Sequence, residues 1–269
     1  MSENPNSRIR AKAVITGASS GIGAAYARRF AKDGYDLILV ARREELLVKL
    51  CEELSREQGI IAEYMIVDLA KEDELKIVEE KIKDTDNLEI LVNNAGFGGE
   101  KRVFYEIPIQ NHINMVQVHN IAPLKLIHAV IPDMIKRGKG SIINVSSIAS
   151  LAPSPIIMYS TTKNFLNYLS ESLDFLLRRK GIKIQVLCPG FTLTDFHKRL
   201  GYEPDDPIYR RKFMIAEKVV EASLKSLKKG AIYCIPGFRN KLLVFFIRIL
   251  PKRILIFAYR KMLLKRKKD

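Results

Sequence analysis

Tyr159 and Lys163 stand four residues apart in Tyr159-Ser160-Thr161-Thr162-Lys163, and on a helix that spacing puts a phenol and an ammonium on one face. A free tyrosine, with a pKa near 10, exchanges protons poorly at neutral pH. A cation about 5 Å away, at an effective dielectric of about 20, contributes roughly 3 kcal/mol, or about two pKa units. That would bring the phenol towards the range in which a general acid/base works. Tyr-x-x-x-Lys arises by chance on many helices, so the pair needs support. Ser147, twelve residues before Tyr159, provides it at the end of a strand-like run, where its hydroxyl can polarise a carbonyl and orient the tyrosine. Plain turn chemistry is the alternative for any one such serine. The expected catalytic set is Ser147, Tyr159 and Lys163.

A second constellation lies near the start of the chain. Thr16-Gly17-Ala18-Ser19-Ser20-Gly21-Ile22-Gly23 follows an apolar run and precedes a helical pattern. Glycines there let the chain turn tightly, bring backbone N–H groups to a pyrophosphate and seat the helix close to a sheet. The spacing G-x-x-x-G-x-G differs from the commoner G-x-G-x-x-G, and a purely structural turn is the competing reading. The next strand-like run ends Val40-Ala41-Arg42-Arg43, with no acid where NAD-binding folds hold the ribose 2′-hydroxyl. A guanidinium can chelate a 2′-phosphate that a carboxylate would repel. This predicts NADP(H), resting chiefly on Arg42, with NAD(H) also admissible; a solvated helix start is the alternative for both arginines.

Elements must carry these groups to one place. Strand-like runs fall at Lys12–Gly17, Tyr35–Arg42, Ile61–Leu69, Asn87–Asn93, Ser141–Ser147, Ile182–Cys188 and Ala231–Pro236. They are nearly continuous in Val, Ile and Leu, as expected of parallel strands covered on both faces. Helical periodicity occupies Ile22–Lys32, Glu44–Gln58, Glu72–Lys83, His112–Arg137, Ser160–Arg179 and Ala216–Lys228. The alternation predicts an α/β fold, a Rossmann-like doubly wound parallel sheet with helices on both faces, in one domain over 1–237. A basic, apolar helical extension over 238–269 follows.

Composition narrows the classes. The net charge of +15 is mostly local: the last 33 residues hold eleven Lys/Arg and one Asp, leaving about +5 for the rest. A nucleic-acid-binding domain would spread basic residues over a reading face, so nucleic acid is not an expected partner. Cys51, Cys188 and Cys234 lack metal or disulfide spacing and read as buried thiols in a reducing compartment. No metal site is expected. The polar first residues show no secretory h-region, and the expected location is cytoplasmic.

These residues together resemble the short-chain dehydrogenase/reductase family. Thr16-Gly17-x-x-x-Gly21-Ile22-Gly23, Asp68, Asn93-Asn94-Ala95-Gly96, Ser147, Tyr159-x-x-x-Lys163 and Pro189-Gly190-x-x-x-Thr194 occur in family order over roughly residues 10 to 237. The resemblance implies that Ser19 and Ser20 lie near the adenosine phosphate and that Asp68, with Leu69 beside it, binds the adenine. It also implies that Asn94, Ala95 and Gly96 line the cofactor. Lys163 would also hold the nicotinamide ribose, and Pro189, Gly190, Thr192 and Thr194 would pack on the nicotinamide. Homodimers or homotetramers are expected. Two departures stand out. His119, with Asn120 next to it, occupies the place of the family's relay asparagine, as a water-ordering group or as packing. The Ser–Tyr interval is one residue short, which leaves Ser146 as a fallback for Ser147.

The segment Phe191 to Ile215, with Phe196, Leu200, Tyr202 and Tyr209, is expected to fold over an apolar substrate. Phe238 to Leu250, and the stretch from Pro251 to Lys268, interleave basic and apolar residues but are too short to span a bilayer. They suit an interfacial anchor on anionic lipid, or packing against the core or a second subunit. The function expected is an NADP(H)-linked reductase or dehydrogenase of an apolar, lipid-like carbonyl or alcohol. A membrane-surface reductase of acyl or sphingoid ketones is its narrower form, and a catalytically silent NADP(H)-binding module is the alternative.

Overall fold

Strands running almost unbroken in Val, Ile and Leu need cover on both faces, and the computed structural model, which describes residues 10–100, 102–194, 213–251, 253–257 and 260, gives them that cover. In chain order the elements begin β1 (Lys12–Thr16), α1 (Gly21–Lys32), β2 (Asp36–Ala41), α2 (Glu44–Gln58), β3 (Ala62–Ile66), α3 (Glu72–Lys83) and β4 (Leu88–Asn93). Then come α4 (Ile109–Val116), α5 (Ala122–Arg137), β5 (Gly140–Val145), α6 (Ile157–Leu177), β6 (Ile182–Leu187) and β7 (Thr192–Leu193). The last are β8 (Met214–Ile215), α7 (Ala216–Lys228), β9 (Tyr233–Cys234) and α8 (Phe238–Ile249). Seven strands form one sheet in the order β3-β2-β1-β4-β5-β6-β9, parallel throughout, while β7 and β8 make a separate two-stranded ribbon.

Adjacent residues of one strand feed opposite cores, as a pleated strand requires. Ala13 and Ile15 pack with Tyr26 and Phe30 of α1 and Val219 of α7. Val14 packs with Leu75 of α3 and Leu126 of α5. The edge strand β3 departs from the expected two-sided cover: Tyr64 and Ile66 are exposed. Cys51, Cys188 and Cys234 are buried free thiols.

The observed strands are shorter than the apolar runs: Gly17, Arg42, Ser146, Ser147 and Cys188 fall just past the strand ends, although the Ser146 and Cys188 N–H groups still donate to the Leu187 and Cys234 carbonyls at 2.7 and 2.8 Å. The expected helix His112–Arg137 is also broken. A wide turn over Gln117–Ile121 separates α4 from α5. Pro123 has no N–H for the His119 carbonyl four residues earlier, and its ring crowds that carbonyl. The turn absorbs the conflict.

The strand order reverses beside β1, between β2 and β4. Open α/β sheets bind ligands at the carboxyl ends of strands flanking such a point. Helix α8, the head of the expected extension, lies against the single turn Ile148–Leu151 that follows β5. Val244 is its one fully buried side chain, and Asn240 donates a hydrogen bond to the Pro236 carbonyl at 2.7 Å. Among the described residues no helix is long and apolar enough to cross a membrane.

Candidate active site

The turn after β1 is built by close backbone approach. Gly17 has φ +65°, and a Cβ there would lie 2.8 Å from Ala95 Cα. A Cβ at Gly23 would collide with the Gly17 carbonyl and stand 2.6 Å from Asn94 Nδ2. Asn94 fastens the turn, donating from Nδ2 to the carbonyls of Thr16 (2.9 Å) and Gly17 (3.1 Å). The backbone N–H groups of Asn94 and Ala95 both donate to Thr16 Oγ1 at 3.0 Å. These residues hold the end of β1 to the end of β4.

Helix α1 starts at Gly21 with no side-chain cap and no acid in its first turn. Its unpartnered N–H groups and positive dipole end open beside the groove, a ready anion site. Arg43 stands over it, donating to Ser19 Oγ (3.1 and 3.0 Å) and to Ser20 Oγ. The chain therefore fits a dinucleotide pyrophosphate at α1 with a cation alongside. Arg42, the arginine given the larger part by sequence, turns the other way, towards Asp68 Oδ2 at 3.5 Å. Asp68 also accepts from the Ala70 N–H at 3.0 Å.

One cavity of about 450 Å³ collects most of the expected residues. Gly17, Ser20, Gly21, Ile22, Arg43, Asn94 and Gly96 line the cofactor end. Ser147, Tyr159, Lys163, Pro189, Gly190, Thr192 and Thr194 also line it, and Thr194 closes on the glycine turn, where a Cβ on Gly21 would lie 2.8 Å from its Cγ2. Arg42 and Asp68 line an adjoining cavity that shares Tyr159, and Ser19 faces a third. Leu69, Ala95 and Gly23 line none of these cavities: Leu69 is core, Ala95 packs on that core, and Gly23 is buried beneath the turn. The expected lid residues Phe196, Leu200, Tyr202 and Tyr209 lie outside the described residues.

Tyr159 and Lys163 share one face of α6, as their spacing predicts. Ser147 and Ser146 part company. Ser146 is buried and donates to the Lys163 carbonyl at 3.0 Å, whereas the Ser147 hydroxyl hydrogen-bonds the Tyr159 phenol. The electrostatics differ from the spacing argument. Burial pushes the phenol up to about 12, and Ser147, rather than Lys163, is the group that holds it down. The Lys163 ammonium instead donates to the Val145 carbonyl at 2.7 Å, and burial lowers it to about 8.

That lysine costs stability. Its folded value lies below its ordinary 10.5, so the folded chain binds fewer protons than the unfolded one. The penalty, about 3 kcal/mol, is fully present below pH 8 and relieved as pH rises to 10.5. Lys163→Met, which also loses a hydrogen bond from a charged donor worth about 1.5–3 kcal/mol, should raise the Tm of the cofactor-free protein at neutral pH by roughly 2–4 °C. The gain should shrink in alkaline buffer. Thermal unfolding at both pH values checks this, and a lower Tm for the variant at neutral pH would contradict it.

His119 is fully buried and both ring nitrogens are engaged. Nε2 accepts the Phe97 N–H at 3.0 Å, so the neutral ring carries its proton on Nδ1 and donates it to Thr162 Oγ1 at 2.9 Å. Thr162 in turn donates to the Met158 carbonyl at 2.8 Å. Burial, with the Lys163 charge second, keeps the imidazole well below its usual pKa. A neutral strut thus joins the loop after β4 to the helix bearing Tyr159, whose ring meets the imidazole edge-on at 5.9 Å. Asn120 repeats the tie, donating to the Thr162 carbonyl at 2.8 Å.

Sequence reasoning missed two sets of lining residues, Ile148, Ala149 and Ile156 between β5 and α6 and a group on α8. Leu243 and Ile247 line the cavity, and a Cβ on Gly190 would come within 2.6 Å of the Asn240 side chain. The available signal was the spacing Asn240, Val244, Ile247, an i, i+4, i+7 stripe inside a segment read chiefly for its charge.

Comparison with known proteins agrees with this architecture. A sequence model described as short chain dehydrogenase matches residues 11–204. The human very-long-chain 3-oxoacyl-CoA reductase is 33% identical over 193 residues, 69% of this chain and 61% of the relative. The match thus spans less than two thirds of that relative's length. A short-chain dehydrogenase from Sphingobium yanoikuyae, solved in complex with NADPH, superposes with a TM-score of 0.80 at 30% identity over 95% of both chains. The bulky-bulky ketone specific alcohol dehydrogenase of Comamonas testosteroni gives 0.77 at 30% identity, covering 95% of this chain and 94% of that one.

Proposed function

The chain belongs to the short-chain dehydrogenase family, an oxidoreductase of hydroxyl and keto groups that uses NAD(P), and we propose that it reduces an apolar, lipid-like ketone with NADPH. The observation that carries the reading is the single cavity in which Ser147, Tyr159 and Lys163 face the groove running from the α1 N-terminus. The nicotinamide supplies the hydride when the cofactor is bound. The chain's own groups handle position and protons. Ser147 and Tyr159 converge where a carbonyl oxygen would sit, and a phenol held near 12 is protonated at neutral pH, ready to donate as the oxygen gains charge. Lys163, with its lowered value, holds the ribose end and can pass a proton back to the phenolate. Arg43, with Ser19 and Ser20, selects the 2′-phosphate.

The substrate class is argued from the walls. Ile148, Ile156, Phe191, Leu243 and Ile247 make the cavity's substrate end apolar. The names of two relatives, a 3-oxoacyl-CoA reductase and an alcohol dehydrogenase for bulky ketones, point the same way. A second copy of the chain is the partner suggested by the apolar outer face of α4 and α6, where Ile109, Ile113, Phe165, Tyr168 and Phe175 are exposed. The test is NADPH oxidation followed at saturating cofactor with long-chain 3-oxoacyl thioesters, bulky ketones and short polar aldehydes. Turnover should favour the first two groups. Preference for the polar aldehydes would overturn the substrate class, and no NADPH oxidation with any of them would favour the silent-module reading.

A further inference from the structure

Helix α8 has two faces that do different things. At 3.6 residues per turn, Asn240, Val244 and Ile247 form its inner stripe, and Leu243 and Ile247 reach the active-site cavity. Phe238, Leu242, Phe245, Phe246 and Ile249 fall on the opposite side, within an arc of roughly 100°, and all are exposed, Phe245 by 57%. Lys241 and Arg248 border that arc on one side and Arg239 on the other. Past Pro251, Ile254 and Phe257 are exposed as well.

We infer that this face docks on an anionic phospholipid surface and that the cavity takes its ketone directly from the bilayer past Leu243. Charge selects the occupant. Residues 237–268 hold eleven Lys/Arg and no acid, so the same face of a second copy would be repelled. Each basic residue near an anionic membrane gains about 1 kcal/mol. Apolar and aromatic side chains between basic flanks suit burial at the headgroup boundary. Leu243 joins the two functions: it is 48% exposed yet lines the cavity. A lipid chain seated along α8 thus reaches Tyr159 without its apolar length crossing water. The access route rests on the ketone-reduction reading; the docking does not.

The test compares the full chain with L242E/F245E/F246E, a variant altered only on the outward arc. Both are floated with phosphatidylcholine vesicles, with and without phosphatidylserine. The unaltered chain should float with the phosphatidylserine vesicles at least about tenfold more than the variant. Vesicle-embedded long-chain ketone should be turned over at least about tenfold faster by the unaltered chain, while a short water-soluble ketone is reduced equally by both. An unaltered chain that stays in the soluble fraction, or a variant that floats equally well, overturns the docking. Equal turnover of vesicle-embedded ketone overturns the access route. Failure of both proteins on the soluble ketone would strike at the ketone-reduction reading and leave the flotation result to stand or fall alone.

Discussion

Replacing Tyr159 by phenylalanine will lower kcat for NADPH-linked ketone reduction by about 10²–10⁴-fold, the range of a lost general acid. The ring itself should stay in place. It lies edge-on to His119 at 5.9 Å, and phenylalanine keeps that contact. Only the hydroxyl and its bond to Ser147 go, so NADPH affinity, read by fluorescence or calorimetry, should change less than about threefold. The high phenol pKa also sets a direction. Reduction needs the protonated phenol, abundant at neutral pH, whereas alcohol oxidation needs the phenolate. Oxidation by the unaltered protein should therefore quicken as pH rises towards the phenol's value of about 12 in the cofactor-free protein. Turnover retained in the variant would remove Tyr159 from the chemistry.

Arg43→Ala should cut kcat/KM for NADPH by about 10²-fold, since hydrogen bonds to a charged partner contribute about 1.5–3 kcal/mol each and the site is partly open to water. The same substitution should alter kcat/KM for NADH by less than about threefold, because NADH offers no phosphate to the guanidinium. Arg42→Ala should cost less. The Arg42 side chain is 62% exposed and turned to Asp68 at 3.5 Å, while Arg43 already reaches Ser19 and Ser20 at the turn. Steady-state kinetics with both cofactors separates the two arginines. Equal loss with NADPH and NADH would mean that Arg43 merely braces the turn.

Spacing gave Arg42 the larger part of the pair, whereas our proposal rests on Arg43, which reaches Ser19 and Ser20 at the turn. Spacing fixes where a strand ends but not which of two adjacent side chains swings over the neighbouring loop. The same limit applied to the lysine. Four residues along α6 fixed that Lys163 shares a face with Tyr159, whereas the Val145 carbonyl and the dryness of the site determined where its charge sits. The parallel doubly wound sheet and the position of the glycine turn were legible because each follows from local periodicity and the end of a strand. His119 was seen as a departure, but its two partners, Phe97 and Thr162, come from different elements and have no signature in the sequence. Helix α8 is obscured by its own composition, since eleven basic residues from Gly237 onward mask a stripe of three inward positions.

Placing Leu243 and Ile247 in the cavity wall also has a consequence in time. Among the described residues the sheet contains no hairpin; each pairing joins parallel strands, and pairing Ala13 with Ile90 must wait until β2, β3 and their helices have been made. Such non-local closure folds slowly and in an order constrained by synthesis. The glycine turn, Tyr159 and Lys163 lie upstream of β6, and Pro189 to Thr194 follow directly after it, so the nucleotide end of the groove is complete in the chain while the substrate chamber still lacks a side. That side arrives only with α8, after β9 has joined the sheet edge. In chain order every residue lining the nucleotide end therefore precedes the last wall of the substrate chamber, and a cofactor that binds the folded chain adds to its stability as a folding ligand.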